Sequence, residues 1–123
     1  MILRIDLEWI LDIQARKLHD LLEIRDYSAL GAAVARHCFD PVNLDHEPDA
    51  AWRAAALLHT VVRLEPLTRG NRLFGCVLAL AYMQDSGEVV DPPYGALVEL
   101  AKDVDAKRAD IFEIADRLRS WRM

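Results

Sequence analysis

Residues 63–73 read RLEPLTRGNRL and join two strongly apolar segments of the chain. Pro66 has no backbone N–H and disfavours helical geometry at the residue before it, so a helix over 50–64 should end at Glu65. Gly70 reaches backbone conformations closed to other residues, and a new helix should begin at Asn71. The first amides of that helix would carry the positive end of its dipole into the loop, which suits an anion. Most such helix starts are plain caps, so these residues alone leave both interpretations open.

The rest of the chain follows the 3.6-residue apolar period of helices and has almost no strand pattern. Asp6, Ser28 and Asp49 are residue types that cap helices, and each precedes an apolar-periodic segment. The predicted helices span residues 7–19, 29–38, 50–64, 71–85, 94–104 and 107–121. Residues 39–48 are rich in Pro and Asp and should form a loop. The sequence therefore predicts an all-α protein.

Bulk composition narrows the classes of function. The 123 residues fit one domain, 1–123, and 53% hydrophobic residues supply a core. A net charge of −5 gives no overall basic footprint for direct contact with nucleic acid. No apolar run approaches the roughly eighteen residues of a membrane span, and the first residues do not read as a signal peptide. Cys38 and Cys76 form no disulfide framework, so we expect buried free thiols in a reducing cytoplasm.

The loop resembles the active-site motif of the Fic/Doc (Fido) family, which reads His-Pro-Phe-x-(Asp/Glu)-Gly-Asn-(Gly/Lys)-Arg. Pro66, Gly70 and Asn71 match that pattern. Similarity to Doc-like (death-on-curing) members extends beyond the loop, to residues 3–11, 24–36, 54–63 and 115–118. The resemblance implies a single all-α Fido domain with about six helices around the central motif helix.

The resemblance also implies a function. Fido proteins transfer a phosphorylated part of a nucleotide, most often AMP, to a protein hydroxyl, and Doc-like toxins move the terminal phosphate to a translation elongation factor. This chain would then be the toxin of a toxin–antitoxin module, with ATP and magnesium as cofactors and a small antitoxin as partner. The implied site has Glu65 at the catalytic position, nucleotide or anion contacts from Arg69, Gly70, Asn71 and Arg72, and a loop scaffold of Pro66, Leu67, Thr68 and Leu73.

Several positions depart from the family motif. Glu65 replaces the general-base histidine, and a carboxylate is a weak base for a hydroxyl near neutral pH. Arg69 replaces the acid that would hold magnesium, and a guanidinium has no lone pair for a metal. Leu73 replaces the final arginine, part of whose role Arg72 could cover, and Leu67 stands at the phenylalanine position. Arg69 either stands in for the metal's charge against a phosphate or pairs with Glu65 four residues earlier, and the second interpretation is favoured.

Three alternatives stay open. The chain could be a non-catalytic Fido domain that binds a protein partner through the former active-site groove. His59 could be a base relocated from the loop, although a hydrogen-bonded core histidine is the expected role. Residues 39–48 could form an acidic flap over a target peptide or an ordinary solvated loop. The spacing of His and Cys residues predicts no metal site.

Overall fold

A computed structural model describes residues 3–18, 23–39 and 48–123 of the chain. Its helices are α1 (Leu7–Lys17), α2 (Tyr27–Cys38), α3 (Ala50–Leu64), α4 (Asn71–Asp85), α5 (Ala96–Asp105) and α6 (Ile111–Ser120). Those three ranges contain no strand, only isolated antiparallel bridges between Ile24 and Leu67 and between Val90 and Arg122. The predicted all-α class with six helices is confirmed. Residues 40–47 of the predicted loop lie outside the described residues.

Aspartates set where four of the helices begin. Asp6, Asp49 and Asp110 each accept a hydrogen bond from a backbone N–H in the first turn of α1, α3 and α6. Helix α2 begins after Asp26, not after Ser28 as predicted, because the Asp26 carboxylate accepts from the N–H groups of Ser28 and Ala29. Side-chain caps of this kind satisfy amides that the helix itself leaves unpaired.

Helix α3 is the centre of the structure and packs against α2, α4, α5 and α6. Its residues 51–58 and 60–62 are buried, as the continuous apolar pattern predicted. Helix α4 approaches α3 closely at Gly75, where an added Cβ would lie 3.1 Å from Val62 Cγ2 and 3.3 Å from the Leu58 carbonyl oxygen. This tight pair of helices holds both ends of the connecting loop, residues 65–70.

His37 joins three segments in the core. Its side chain is fully buried, and Nε2 accepts a hydrogen bond from the Ile5 N–H at 3.1 Å. Nδ1 therefore carries the proton and donates to the Arg53 carbonyl at 3.1 Å. Arg53 in turn donates from Nη1 to the His37 carbonyl at 2.7 Å. Burial lowers the pKa of His37 to about 4, so the imidazole is neutral in the folded protein at neutral pH.

The two cysteines differ in exposure. Cys76 is buried against α5, with Sγ 3.8 Å from the Leu97 carbonyl oxygen, and burial raises the pKa of its thiol to about 11. Cys38 is partly exposed, which corrects the prediction of two buried thiols, because it lies in the last turn of α2 at the edge of the core. Both thiols are free.

The connection from α5 to α6 differs from the sequence prediction of a helix over 107–121. Lys107 has φ +64°, and the N–H groups of Lys107 and Arg108 bond back to Val104 and Asp103. This left-handed turn ends α5, so α6 cannot begin until Asp110 caps it. The same pattern ends α4 at Gly87, where φ is +83°.

Lys107→Gly should therefore stabilise the protein. A non-glycine residue at this conformation costs about 1 kcal/mol or more, and the greater freedom of glycine in the unfolded chain offsets part of that gain. We expect the free energy of unfolding in urea to rise by about 0.5–1 kcal/mol. Gly87→Ala is the matched opposite and should lower it by a similar amount. Loss of stability in Lys107→Gly would contradict the assignment of strain to this turn.

Candidate active-site groove

The loop between α3 and α4 forms one side of an open groove of about 410 Å³. The groove is lined by Val62, Glu65, Thr68, Arg69, Gly70, Asn71, Arg72 and Asp105. Six of the nine predicted site residues are therefore brought together. Pro66 and Leu67 are buried beneath the loop, and Leu73 is 55% exposed on α4 outside the groove lining.

Glu65, which the sequence resemblance aligns with a catalytic histidine, ends α3 in a left-handed conformation, with φ +50° and ψ +64°. Its N–H still bonds to the Val61 carbonyl. Arg25 Nη2 donates to the Glu65 carbonyl at 2.8 Å and lies 3.7 Å from its carboxylate. A non-glycine residue held in this region is uncommon and marks a position that its surroundings determine.

The predicted ion pair between Glu65 and Arg69 is wrong. The four-residue spacing brings side chains together on a helix, but α3 has ended at Leu64 and residues 66–69 form a non-helical loop. Arg25, which lies in the stretch 24–36 that resembles Doc-like members, contacts Glu65 instead. No local signal in the sequence identifies this contact, because forty residues separate the two positions.

Residues 23–26 form backbone hydrogen bonds with the loop between α3 and α4. The N–H groups of Arg25 and Asp26 both donate to the Pro66 carbonyl, at 2.7 and 3.1 Å. The Thr68 N–H donates to the Glu23 carbonyl at 3.0 Å, and Leu67 is fully buried. The loop backbone is thus hydrogen-bonded to a neighbouring segment at Pro66 and Thr68, on either side of Leu67, which fixes the floor of the groove.

Asn71 braces the loop from inside. Its side-chain oxygen accepts from the Leu67 N–H at 2.9 Å, and its amide nitrogen donates to the Leu67 carbonyl at 3.1 Å. Asn71, predicted to contact a nucleotide or anion, thus uses its side chain to shape the turn. The residue's backbone amide stands at the start of α4, where Gly70 has φ +77° and supplies no side-chain cap.

Asn71→Ala should loosen the loop. The change leaves the Leu67 N–H and carbonyl without their partners in a partly buried site, which costs about 1–3 kcal/mol of unfolding free energy. Urea denaturation measures the loss, and amide hydrogen exchange should accelerate at Leu67. Asn71→Asp keeps the acceptor and loses the donor, so its stability should lie between those of the wild type and Asn71→Ala. An unchanged exchange rate at Leu67 in Asn71→Ala would contradict this role.

Arg69 and Arg72 differ in their electrostatic surroundings. Arg72 donates from Nε and Nη2 to Asp105 Oδ2, at 2.9 and 2.6 Å, so a carboxylate compensates its charge. Arg69 is exposed at the groove and has no ion pair with any residue that the structure describes. It adds a positive charge where the uncapped amides of α4 begin.

The groove offers little to a metal ion. Its carboxylates are Glu65 and Asp105, and each lies against an arginine. Across ranges 3–18, 23–39 and 48–123, no three His, Cys, Asp or Glu side chains converge as a cation site requires. The arrangement can hold an anion through Arg69 and the backbone amides of α4, without a metal bridge.

No helix within the described ranges is both long enough and apolar enough to cross a bilayer.

Comparison with known proteins identifies the family. No family model matches the chain. Over 98 residues it is 34% identical to a protein named Toxin Doc from Mycolicibacterium smegmatis, an alignment that covers 78% of this chain and 68% of that protein. Identity over this share of both chains, together with the all-α structure, places the chain in the Doc toxin family.

Proposed function

We propose that this protein is the toxin of a toxin–antitoxin pair and that its loop groove binds the phosphate end of a nucleotide. Membership of the Doc toxin family supports the first part. The second part is supported by the position of Arg69, an arginine without an ion pair among the described residues at the uncapped start of α4. We further propose that a small antitoxin inhibits the protein. Its target would be a protein hydroxyl, such as one on a translation factor in the cytoplasm.

The position of Arg69 is the main support for a nucleotide site in this groove. An arginine presents several N–H donors in a fixed fork that matches phosphate oxygens. At the acidic position of the family motif it would place a positive charge where other members place a metal ion's charge. Binding of the nucleotide should then not depend on magnesium.

The contacts of Glu65 in the same groove favour slow or redirected transfer of the phosphorylated group. Glu65 would be the proton acceptor, but its carboxylate lies beside Arg25 and its carbonyl accepts a hydrogen bond from the same guanidinium. Loss of a positioned general base costs about 10²–10⁴-fold in rate. We therefore propose that nucleotide binding persists while transfer by the family's usual route is weak.

Calorimetric titration of ATP into the protein, with and without magnesium, tests the nucleotide site. We expect binding in both conditions, and we expect Arg69→Ala to weaken it by roughly 10–100-fold, since one charge-assisted contact is worth about 1.5–3 kcal/mol. Arg117→Ala is the matched control, because Arg117 is an exposed arginine of α6 outside the groove. Absence of binding at millimolar ATP, or binding only with magnesium, would contradict the proposal.

A second candidate is a non-catalytic domain that binds a protein partner through the groove. The arginine contacts of Glu65 and Asp105 favour it, because they occupy the carboxylates that could otherwise take part in chemistry. No affinity for ATP combined with tight binding of a co-expressed small protein would favour this candidate. Growth arrest that this small protein relieves would still support the toxin part.

A further inference from the structure

A second groove of about 400 Å³ lies beside α3, on the side of its last turns that faces the α5–α6 connection. Its polar lining consists of His59, Arg63, Lys107, Arg108, Asp110 and Glu113. Val62 and Asp105 line the loop groove, whereas His59 and Lys107 line this one, so the two grooves are distinct surfaces of the same two helix ends.

Arg36 sets the tautomer of His59. Arg36 Nη1 lies 2.7 Å from His59 Nδ1, and a guanidinium can only donate. Nδ1 is therefore the acceptor, and Nε2 carries the ring proton. Burial, followed by the charges of Arg36 and Arg63, lowers the pKa of His59 to about 4. At neutral pH the ring is a neutral Nε2–H donor, and the cation hydrogen-bonded to its other nitrogen polarises it toward stronger donation.

Two cations of this second groove have no ion-pair partner among the described residues. Arg108 donates to Asp103, and one Asp110 oxygen caps α6 by accepting from the Glu113 N–H. Arg63 and Lys107 have no ion pair with any residue in the described ranges, whereas six other arginines do, namely Arg16, Arg25, Arg72, Arg108, Arg119 and Arg122. The side-chain N–H donors of Arg63 and Lys107 beside the His59 ring are therefore not used by any described residue. Asp110 and Glu113 line the same groove, so its carboxylates equal these two cations in number.

We propose that this second groove is an oxyanion-binding site, in which His59 Nε2–H, Arg63 and Lys107 contact a phosphate or carboxylate group. Every polar group that the ligand would meet from these three residues is a donor, and two carry positive charge, so the site selects anions over neutral ligands. Asp110 and Glu113 also line the groove and oppose a second negative group, which favours a single oxyanion. The site is independent of the loop groove and of nucleotide binding there.

The test follows the His59 ring by NMR while inorganic phosphate is added at neutral pH. We expect the His59 ring signals to shift and saturate, and we expect Arg63→Gln with Lys107→Gln to weaken the phosphate affinity by about tenfold or more, because two charges are removed. Raised ionic strength should weaken binding as well. Both positions are at the surface or its edge, and a melting curve will show that the double variant is folded.

Two control variants separate this site from the loop groove. Arg69→Ala should weaken ATP binding and leave the phosphate affinity reported by the His59 ring unchanged, whereas Arg117→Ala should change neither. A parallel titration with a hexaglutamate peptide distinguishes the sources of the oxyanion: saturation by phosphate alone assigns a phosphate site, and saturation by the peptide assigns a site for acidic side chains. A His59 signal that no anion shifts, or a shift that survives the double variant, would overturn the proposal.

Discussion

Lowering the pH from 6.5 to 4 should remove about 3 kcal/mol of unfolding free energy through His37 alone. Its pKa is 6.5 as an ordinary histidine and about 4 in the folded protein, and desolvation is the main cause. Between those two pH values His37 binds a proton in the unfolded chain but not in the folded chain, so the free energy of unfolding falls as the pH falls. A domain has only about 5–15 kcal/mol of stability, so this loss is large.

His37→Gln tests the assignment. Glutamine can donate and accept but does not titrate, so the variant should be less stable than the wild type at pH 7.5 and should lose less stability between pH 6.5 and 4. The gap between the two urea-denaturation curves should therefore narrow on acidification. Ile13→Val is the matched control, because it lowers stability by about 0.5–1.5 kcal/mol without changing any titrating group. If the unfolding free energy of His37→Gln falls between pH 6.5 and 4 as much as that of the wild type, His37 is not the group that titrates.

The helices on either side of the loop were predictable because local chemistry fixes their ends. Asp49 caps α3, Pro66 follows its last residue by two positions, and Gly70 supplies the left-handed conformation that precedes α4. The start of α2 was predicted at the wrong residue, because Asp26 and Ser28 are both good capping residues two positions apart. The Asp26 carboxylate accepts from the first N–H groups of the helix, so the helix begins after the earlier one.

The charge pairing in the groove could not be predicted, because it depends on contacts between distant parts of the chain. Arg25 reaches Glu65 across forty residues, and Arg72 reaches Asp105 across thirty-three. The only local rule available, the four-residue spacing from Glu65 to Arg69, holds on helices and fails at a loop. The second groove was missed for the same reason, since the Arg36 contact that orients His59 spans twenty-three residues.

Rebuilding the family motif should produce transferase activity only when all three missing functions return together. The expected active variant combines Glu65→His, Arg69→Asp and Leu73→Arg, which supply a general base, an oxygen ligand for magnesium and an anion-binding arginine. Glu65→His alone should give no detectable transfer, because Arg69 would still stand at the position that the resemblance assigns to the metal ligand. Restoring a positioned base to a complete site is worth about 10²–10⁴-fold in rate, which sets the scale of the expected gain.

We expect the fold to tolerate each of these changes. Arg25 holds position 65 partly through the backbone carbonyl, and that hydrogen bond does not depend on the side chain. Histidine is among the residues enriched in the left-handed conformation seen there. Arg69 is exposed, and Leu73 is 55% exposed, so neither replacement places a charge in the core.

Incubation with radiolabelled ATP and magnesium in an extract of susceptible cells measures the transfer. Labelling by the triple variant, with none by Glu65→His, would show that the three restored side chains together suffice for transfer. Loss of labelling when Asn71→Ala is added to the triple variant would show that the reaction also needs the loop shape that Asn71 holds. Transfer by the single variant would show that Arg69 does not block the metal. A triple variant that binds magnesium-ATP but transfers nothing would show that the departures extend beyond the motif, because a base, a metal ligand and an anion contact would then all be present without forming a working site.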